Sequence, residues 1–201
     1  MADLTQSSTQ TIITHALLTH QGMIEGTPVA VATWLSCVIT AKIANIEATA
    51  NATGPAVIVQ GSFETSGDEA WFTLAEFAGS TTVAELENMT ATEPVGETVL
   101  ACASTANLVV GDIVYIKDAS VVGAGEWHRI VKVVTNTSIT IDYGLTTQKD
   151  SSDNINTEAD VFTLYVNCEA LKRVNVLVVH ESATGSDLHV EVLAIGATDI
   201  E

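Results

Sequence analysis

The side chains of this 201-residue chain that could bind a metal or move a proton are five histidines, 25 carboxylates and three cysteines. His15 and His20 stand five apart, and His180 and His189 flank a loop of hairpin character that also carries Glu181 and Asp187. Cross-strand pairing there would bring two imidazoles together, whereas tetrahedral zinc needs three or four converging ligands. Asp150, Asp153, Glu158 and Asp160 collect oxygen ligands in one stretch, and Asp68 with Glu69 in another. Neither has the alternate spacing and central glycine of a dedicated calcium loop, so solvated acidic loops are expected.

Cys37, Cys102 and Cys168 are far apart in sequence, odd in number and without CxxC spacing. Each stands among apolar neighbours, which predicts buried free thiols. No serine occupies a Gly-x-Ser-x-Gly elbow. Gly123-Ala124-Gly125 leads into a strand and not into the helix N-terminus that a phosphate loop requires. The expectation is a chain that is not an enzyme, with no catalytic residue, no metal and no cofactor. Trp127 beside His128 is the remaining candidate for recognition, as a stacking platform for a receptor or glycan.

The elements that would carry these residues are strands. Val99 to Asn107, Val110 to Lys117, Glu126 to Val134 and Asn136 to Asp142 are each about one strand long. They are rich in Val, Ile and Thr and are separated by Gly, Asp, Asn or Ser. Gly111-Asp112 and Asn136-Thr137-Ser138 read as turns, because glycine and asparagine accept positive φ. Val57 to Leu74 reads as a hairpin, with Trp71 early in its second strand and expected in a sandwich core. Strand patterning resumes in Ala159 to Cys168, Arg173 to His180 and Leu188 to Ile195.

Polar connections at Gly79 to Glu97 and Thr146 to Glu158 bracket the central strands. The strands outside them look like halves of one sandwich. The fold class expected is therefore all-β: an antiparallel β-sandwich over 36–94 and 153–201 with a small β-barrel-like domain, 95–152, inserted into it. Residues 1–35 are expected as an extended N-terminal arm, whose Ile12, Ile13, Leu17 and Leu18 would contact a neighbouring subunit.

Charged residues make up 16% of the chain, yet 25 acidic against 7 basic side chains leave a formal charge of −18. Such a surface repels phosphate backbones, so no direct nucleic-acid partner is expected. No apolar run approaches the roughly 18 residues that span a bilayer, and none is expected at a membrane. The N-terminus lacks the basic start and apolar core of a secretion signal, so synthesis and folding in a cytoplasm are expected.

The segment Val57 to Leu74, with its strand, Gly61-Ser62, Gly67-Asp68, Trp71 and second strand, resembles one found in structural proteins of tailed bacteriophages. Gly111 to Ile116, Glu126 to Val131 and Asn136 to Asp142 are similar to small β modules of the same class. The resemblance implies a non-catalytic virion component, most like a capsid decoration or cement protein. It would sit on the capsid surface, with the major capsid protein and copies of itself as partners. Other virion positions that the same composition would serve are head-completion, tail-tube and fibre-anchoring proteins. A receptor- or glycan-binding module around Trp127 and His128 is the reading from a different class.

Overall fold

The computed structural model describes residues 4–18, 21–45, 54–67, 70–81, 86–118, 124–157, 159–181 and 187–199. His20, Asp68, Glu69, Gly123 and Glu158 lie outside them. Among the described residues sixteen strands are formed, in three sheets with antiparallel pairing throughout. They are β1 (Leu4–Gln6), β2 (Gln10–Leu18), β3 (Gly22–Glu25), β4 (Val29–Ala30), β5 (Ser36–Asn45), β6 (Ala56–Ser62), β7 (Trp71–Ala78) and β8 (Leu86–Asn88). The chain continues through β9 (Val99–Ala101), β10 (Ile113–Lys117), β11 (Gly125–Val134), β12 (Ser138–Ile141), β13 (Asn154–Asn156), β14 (Ala159–Asn167), β15 (Arg173–His180) and β16 (Leu188–Asp199).

Two five-stranded sheets face each other. In the front sheet β1 and β2 pair along β16, which pairs with β5, which pairs with β14. In the back sheet β3 and β4 pair along β15, followed by β6 and β7. Alternation places Cys37, Ile39, Ala41 and Ile43 of β5 and Leu188, Val190, Val192 and Ala194 of β16 on the inner face. They meet Val174, Val176 and Val178 of β15 and Val57 and Val59 of β6 across the sandwich. Cys37 also touches Cys168 there, and that contact, with burial, raises the Cys37 thiol pKa far above its ordinary value.

The third sheet has six strands in the order β8-β13-β10-β11-β12-β9. Its two ends join: Thr90 N donates to Ala101 O at 3.0 Å, Ala103 N donates to Asn88 O at 3.0 Å, and Met89 bridges to Cys102. The sheet is thus a small barrel around Leu100, Val114, Ile116, Ile130, Ile139, Ile141 and Ile155. Gly111 at φ 103° and Asn136 at φ 49° make its turns. Leu86–Asn88 and Asn154–Asn156 are strands of this barrel, so it reaches beyond 95–152 on both sides and takes in residues that the sequence reading gives to the sandwich.

The segment expected as an arm is part of the sandwich. Ile12, Ile13 and Leu18 are buried in its core and Leu17 packs against the barrel, so the four residues read as subunit contacts are internal. The order within the last strands also differs from a hairpin, because β15 belongs to the back sheet and β16 to the front. His180 and His189 are therefore not cross-strand neighbours. Trp71 lies half-exposed on the edge strand β7, with the Arg173 guanidinium 4.6 Å from its ring centroid. The core tryptophan is Trp34, which lies flat over the backbone of Gly196, where a Cβ would stand 2.1 Å from the indole. Gly196→Ala must push the ring out of the core and is expected to cost about 1–3 kcal/mol. Urea unfolding with an unchanged slope and a lower midpoint is the predicted result; an unchanged midpoint contradicts this packing.

Candidate functional site

The barrel sits on one half of the outer face of the front sheet, and this junction gathers His15, His128 and His189 with Glu126 and Glu191. In β10, Val114 and Ile116 point into the barrel, which leaves Ile113 and Tyr115 facing the sandwich. Trp127, opposite Tyr115 in the β10–β11 ladder, shares that direction. The two rings meet edge to face at 5.1 Å and bury Ala44, against Leu17 and Ala159. Ala44 is small enough to let the aromatic pair approach the sheet.

Four polar side chains of the sheet complete the seat. His15 Nε2 lies 3.0 Å from the Tyr115 hydroxyl. His189 stacks on the Tyr115 ring at 4.6 Å and 21°, and His15 lies 4.4 Å from the His189 ring and 5.4 Å from the Tyr115 ring. Lys42 Nζ donates to Glu191 Oε2 at 2.6 Å and lies 5.8 Å from the Trp127 ring centroid. Gly125 makes room for the phenol, since a Cβ there would lie 2.5 Å from the Tyr115 hydroxyl oxygen.

The electrostatics follow from the burial. His189 is 1% exposed, and desolvation, with His15 and Lys117 nearby, lowers its pKa to about 3. His15 is lowered too, mainly by desolvation, with Glu191 opposing. Burial of Tyr115 raises its pKa far above the ordinary phenol value. At neutral pH all three rings are therefore uncharged, which is what allows them to stack between two sheets.

A second polar group closes the adjoining end of the barrel. Burial alone would push the Glu126 carboxyl up, but contacts from His128, Thr146 and Lys149 outweigh it and hold the pKa near 2. Glu126 Oε2 accepts from Thr146 N and Thr146 Oγ1, each at 2.8 Å, and Oε1 accepts from Thr147 Oγ1 at 3.2 Å. His128 Nε2 lies 3.1 Å from Glu126 Oε2, and Lys149 Nζ 3.6 Å from Oε1. Lys149 is 1% exposed, and its charge is balanced by this carboxylate. The Tyr143 hydroxyl donates to Trp127 O while its ring leans on His128 at 4.3 Å.

Between the barrel and the sheet lie two clefts that share Lys42, Trp127 and Tyr143. One, about 370 Å³, is bordered further by His15, Glu126 and Glu191. The other, about 210 Å³, is bordered further by Ile113, Arg129 and Asp142. A separate hollow of about 390 Å³ lies on the back sheet, where β3 meets β15 at Met23, Val179 and His180.

The geometry places the side chains that the sequence singles out. Trp127 and His128, read from the sequence as a platform for a receptor or glycan, are both buried, with Trp127 bordering both clefts and His128 the smaller one. The exposed aromatic of the clefts is Tyr143. Among the described residues, no three of His, Cys, Asp and Glu are placed to hold a metal ion. Asp153 accepts from Asp150 N at 2.8 Å, and Asp160 accepts from Ser80 N at 2.6 Å, so these carboxylates fasten separate turns. Sequence reasoning did not single out Tyr115, Lys42, Glu126 or Lys149. The available signal was Ile113-Val114-Tyr115-Ile116, apolar on both faces, which marks a strand covered from two sides.

No protein-family model and no curated protein sequence matches the chain. Among solved structures it is similar to the SPBc2 prophage-derived protein YomS, at 12% identity and a TM-score of 0.35, over 98% of this chain and 97% of that one. It is also similar to peanut lectin, at 13% identity and 0.31, over 100% of both chains. VP17, a capsid protein of bacteriophage P23-77, gives 8% identity and 0.23, over 99% of this chain and 96% of that one. Scores this low carry no argument about fold or function.

Two outcomes test the site. Glu126→Ala leaves Lys149 buried without its carboxylate and is expected to cost roughly 3–5 kcal/mol in chemical unfolding; a loss under about 1 kcal/mol would show that the pair is not buried as described. The second concerns pH. The unfolded chain protonates His189 near 6.5 while the folded chain resists until about 3, so stability is full above 6.5 and is lost as pH falls through that window. His15 adds loss of the same sign, and Glu126 joins only below about 4.5. Between pH 6 and 5 the His189 contribution is about 1.4 kcal/mol per pH unit at most. His189→Phe is expected to flatten the measured slope by up to that amount, and an unchanged slope contradicts the burial of a neutral imidazole.

Proposed function

We propose that this chain is a non-catalytic structural subunit of a virion, seated on the outer surface of the capsid and holding neighbouring capsomers together. The observation that carries the reading is where the two kinds of side chain lie. The groups able to do chemistry, namely His15, Tyr115, Glu126, His128, Lys149 and His189, are half-buried or buried and fasten β units to one another. The exposed large apolar residues, among them Val38, Val109, Val110, Val161 and Tyr165, lie on sheet faces and loops where a neighbour can cover them.

The resemblance of Val57 to Leu74 and of the barrel strands to phage structural modules supports the same reading. The formal charge of −18 suits a shell whose outer face is basic. In this reading the partners are the major capsid protein and further copies of the chain. Rigid β units supply shape, and several weak contacts made together give a long-lived attachment.

Electron micrographs of particles produced with and without the chain test this. Extra density on the outside of the shell, with a higher shell melting temperature when the chain is present, is the expected result. Density confined to the tail or neck, or particles identical in both preparations, would overturn it.

A further inference from the structure

We infer that β14 is a self-complementary edge through which two copies of this chain pair, joining their front sheets across a two-fold axis. β14 ends its sheet: β5 runs along one side, and no strand runs along the other among the described residues. Its register against β5 continues unbroken from Ala159 to Asn167. An edge strand is ordinarily guarded by lysine, proline, a bulge or shortness. β14 has nine residues with neither Lys nor Pro and no register shift. The matching edge of the back sheet, β7, carries both a register shift and Glu76.

The occupant follows from the sequence of the strand. Antiparallel pairing about a two-fold at Thr163 sets Thr163 opposite Thr163 of the second copy, Val161 opposite Tyr165, and Phe162 opposite Leu164. Every one of these is a favourable cross-strand type: hydroxyl with hydroxyl, aromatic with β-branched, apolar with apolar. Phe162 and Leu164 already pack on the sandwich core, so the joined sheets continue it. Val161 and Tyr165 stand on the outer face at 41% and 69% exposure, and pairing covers each with the other. A two-fold interface requires such self-complementarity, residue i meeting j and j meeting i.

Charge points to the same occupant. On the open half of the front sheet the outward residues are Val38 and Thr40 of β5, Thr163 and Tyr165 of β14, and Leu193 and Ile195 of β16, none of them charged. Two copies at −18 each can meet there without opposing carboxylates. One acidic side chain of the strand, Asp160, is at its far end and already accepts from Ser80 N. This pairing does not depend on where in a particle the protein sits.

Pairing along so short an edge buries less than a standard interface, so the affinity expected is micromolar. Sedimentation equilibrium of the full chain up to about 100 μM is expected to show a species of twice 21.1 kDa in exchange with the monomer. A monomer over the whole range overturns the proposal. The double variant Val161→Lys, Tyr165→Lys, changed only at exposed positions, is expected to be monomeric at the same concentration, with Val134→Lys on the barrel as a control that still pairs. Dimerisation of the double variant, or its loss in the control, overturns the proposal. Thr163→Cys reads the register without depending on either: mild oxidation with diamide should link two copies through the introduced thiol alone, the native cysteines being buried. Absence of the linked dimer at concentrations where the parent pairs overturns the register.

Discussion

The seating of Tyr115 and Trp127 on Ala44 is the contact on which the shape of this molecule rests. A barrel of short strands has its own core, and so has the sandwich, yet neither core reaches the other. What joins them is one aromatic pair from β10 and β11 pressed against the outer face of β2, β5 and β16, with two imidazoles alongside. The seat constrains its surroundings. Residue 44 must be small, residue 125 must lack a Cβ, and His189 must stay neutral, because a buried unpaired cation would cost far more than the stacking returns. The ion pairs lie at the rim or the barrel end: Lys42 with Glu191 beside Trp127, and Lys149 with Glu126 behind it.

The front sheet is divided by this arrangement into two unlike halves. Its inner face is apolar from Cys37 to Ile43 of β5 and from Leu188 to Ala194 of β16 and packs there on the back sheet. Its outer face is covered by the barrel at the row of Ala44 and His189, crosses a charged row at Lys42 and Glu191, and is then open and uncharged from the row of Thr40 and Leu193 to that of Ser36 and Ala197. One half of that face is thus buried by the barrel of the same chain, and the other half is uncharged.

Much of the fold was legible from the residues, and the parts that were not have identifiable physical causes. Long β-branched runs such as Arg173 to His180 and turn residues such as Gly111 and Asn136 announce themselves, so the all-β class follows from pattern alone. β2 was obscured because its pairing with β16 shifts register twice, which places Ile12 and Ile13, adjacent in sequence, both in the core and breaks the two-residue period. β8 and β13 are three residues each and rich in Asn and Glu, so they read as connection when they are two of the barrel's strands. The junction could not be assembled from sequence at all: His15 and Tyr115 are one hundred residues apart, and nothing local to either says that they will meet. Trp127 and His128 were noticed for their chemistry, but their burial is a tertiary property, set by the ladder with β10.

The central claim is that the seat makes barrel and sandwich one cooperative body. Differential scanning calorimetry of the full chain at neutral pH tests it most directly. A single endotherm whose calorimetric and van't Hoff enthalpies agree is the predicted result. Two separated transitions, one for each β unit, would contradict it.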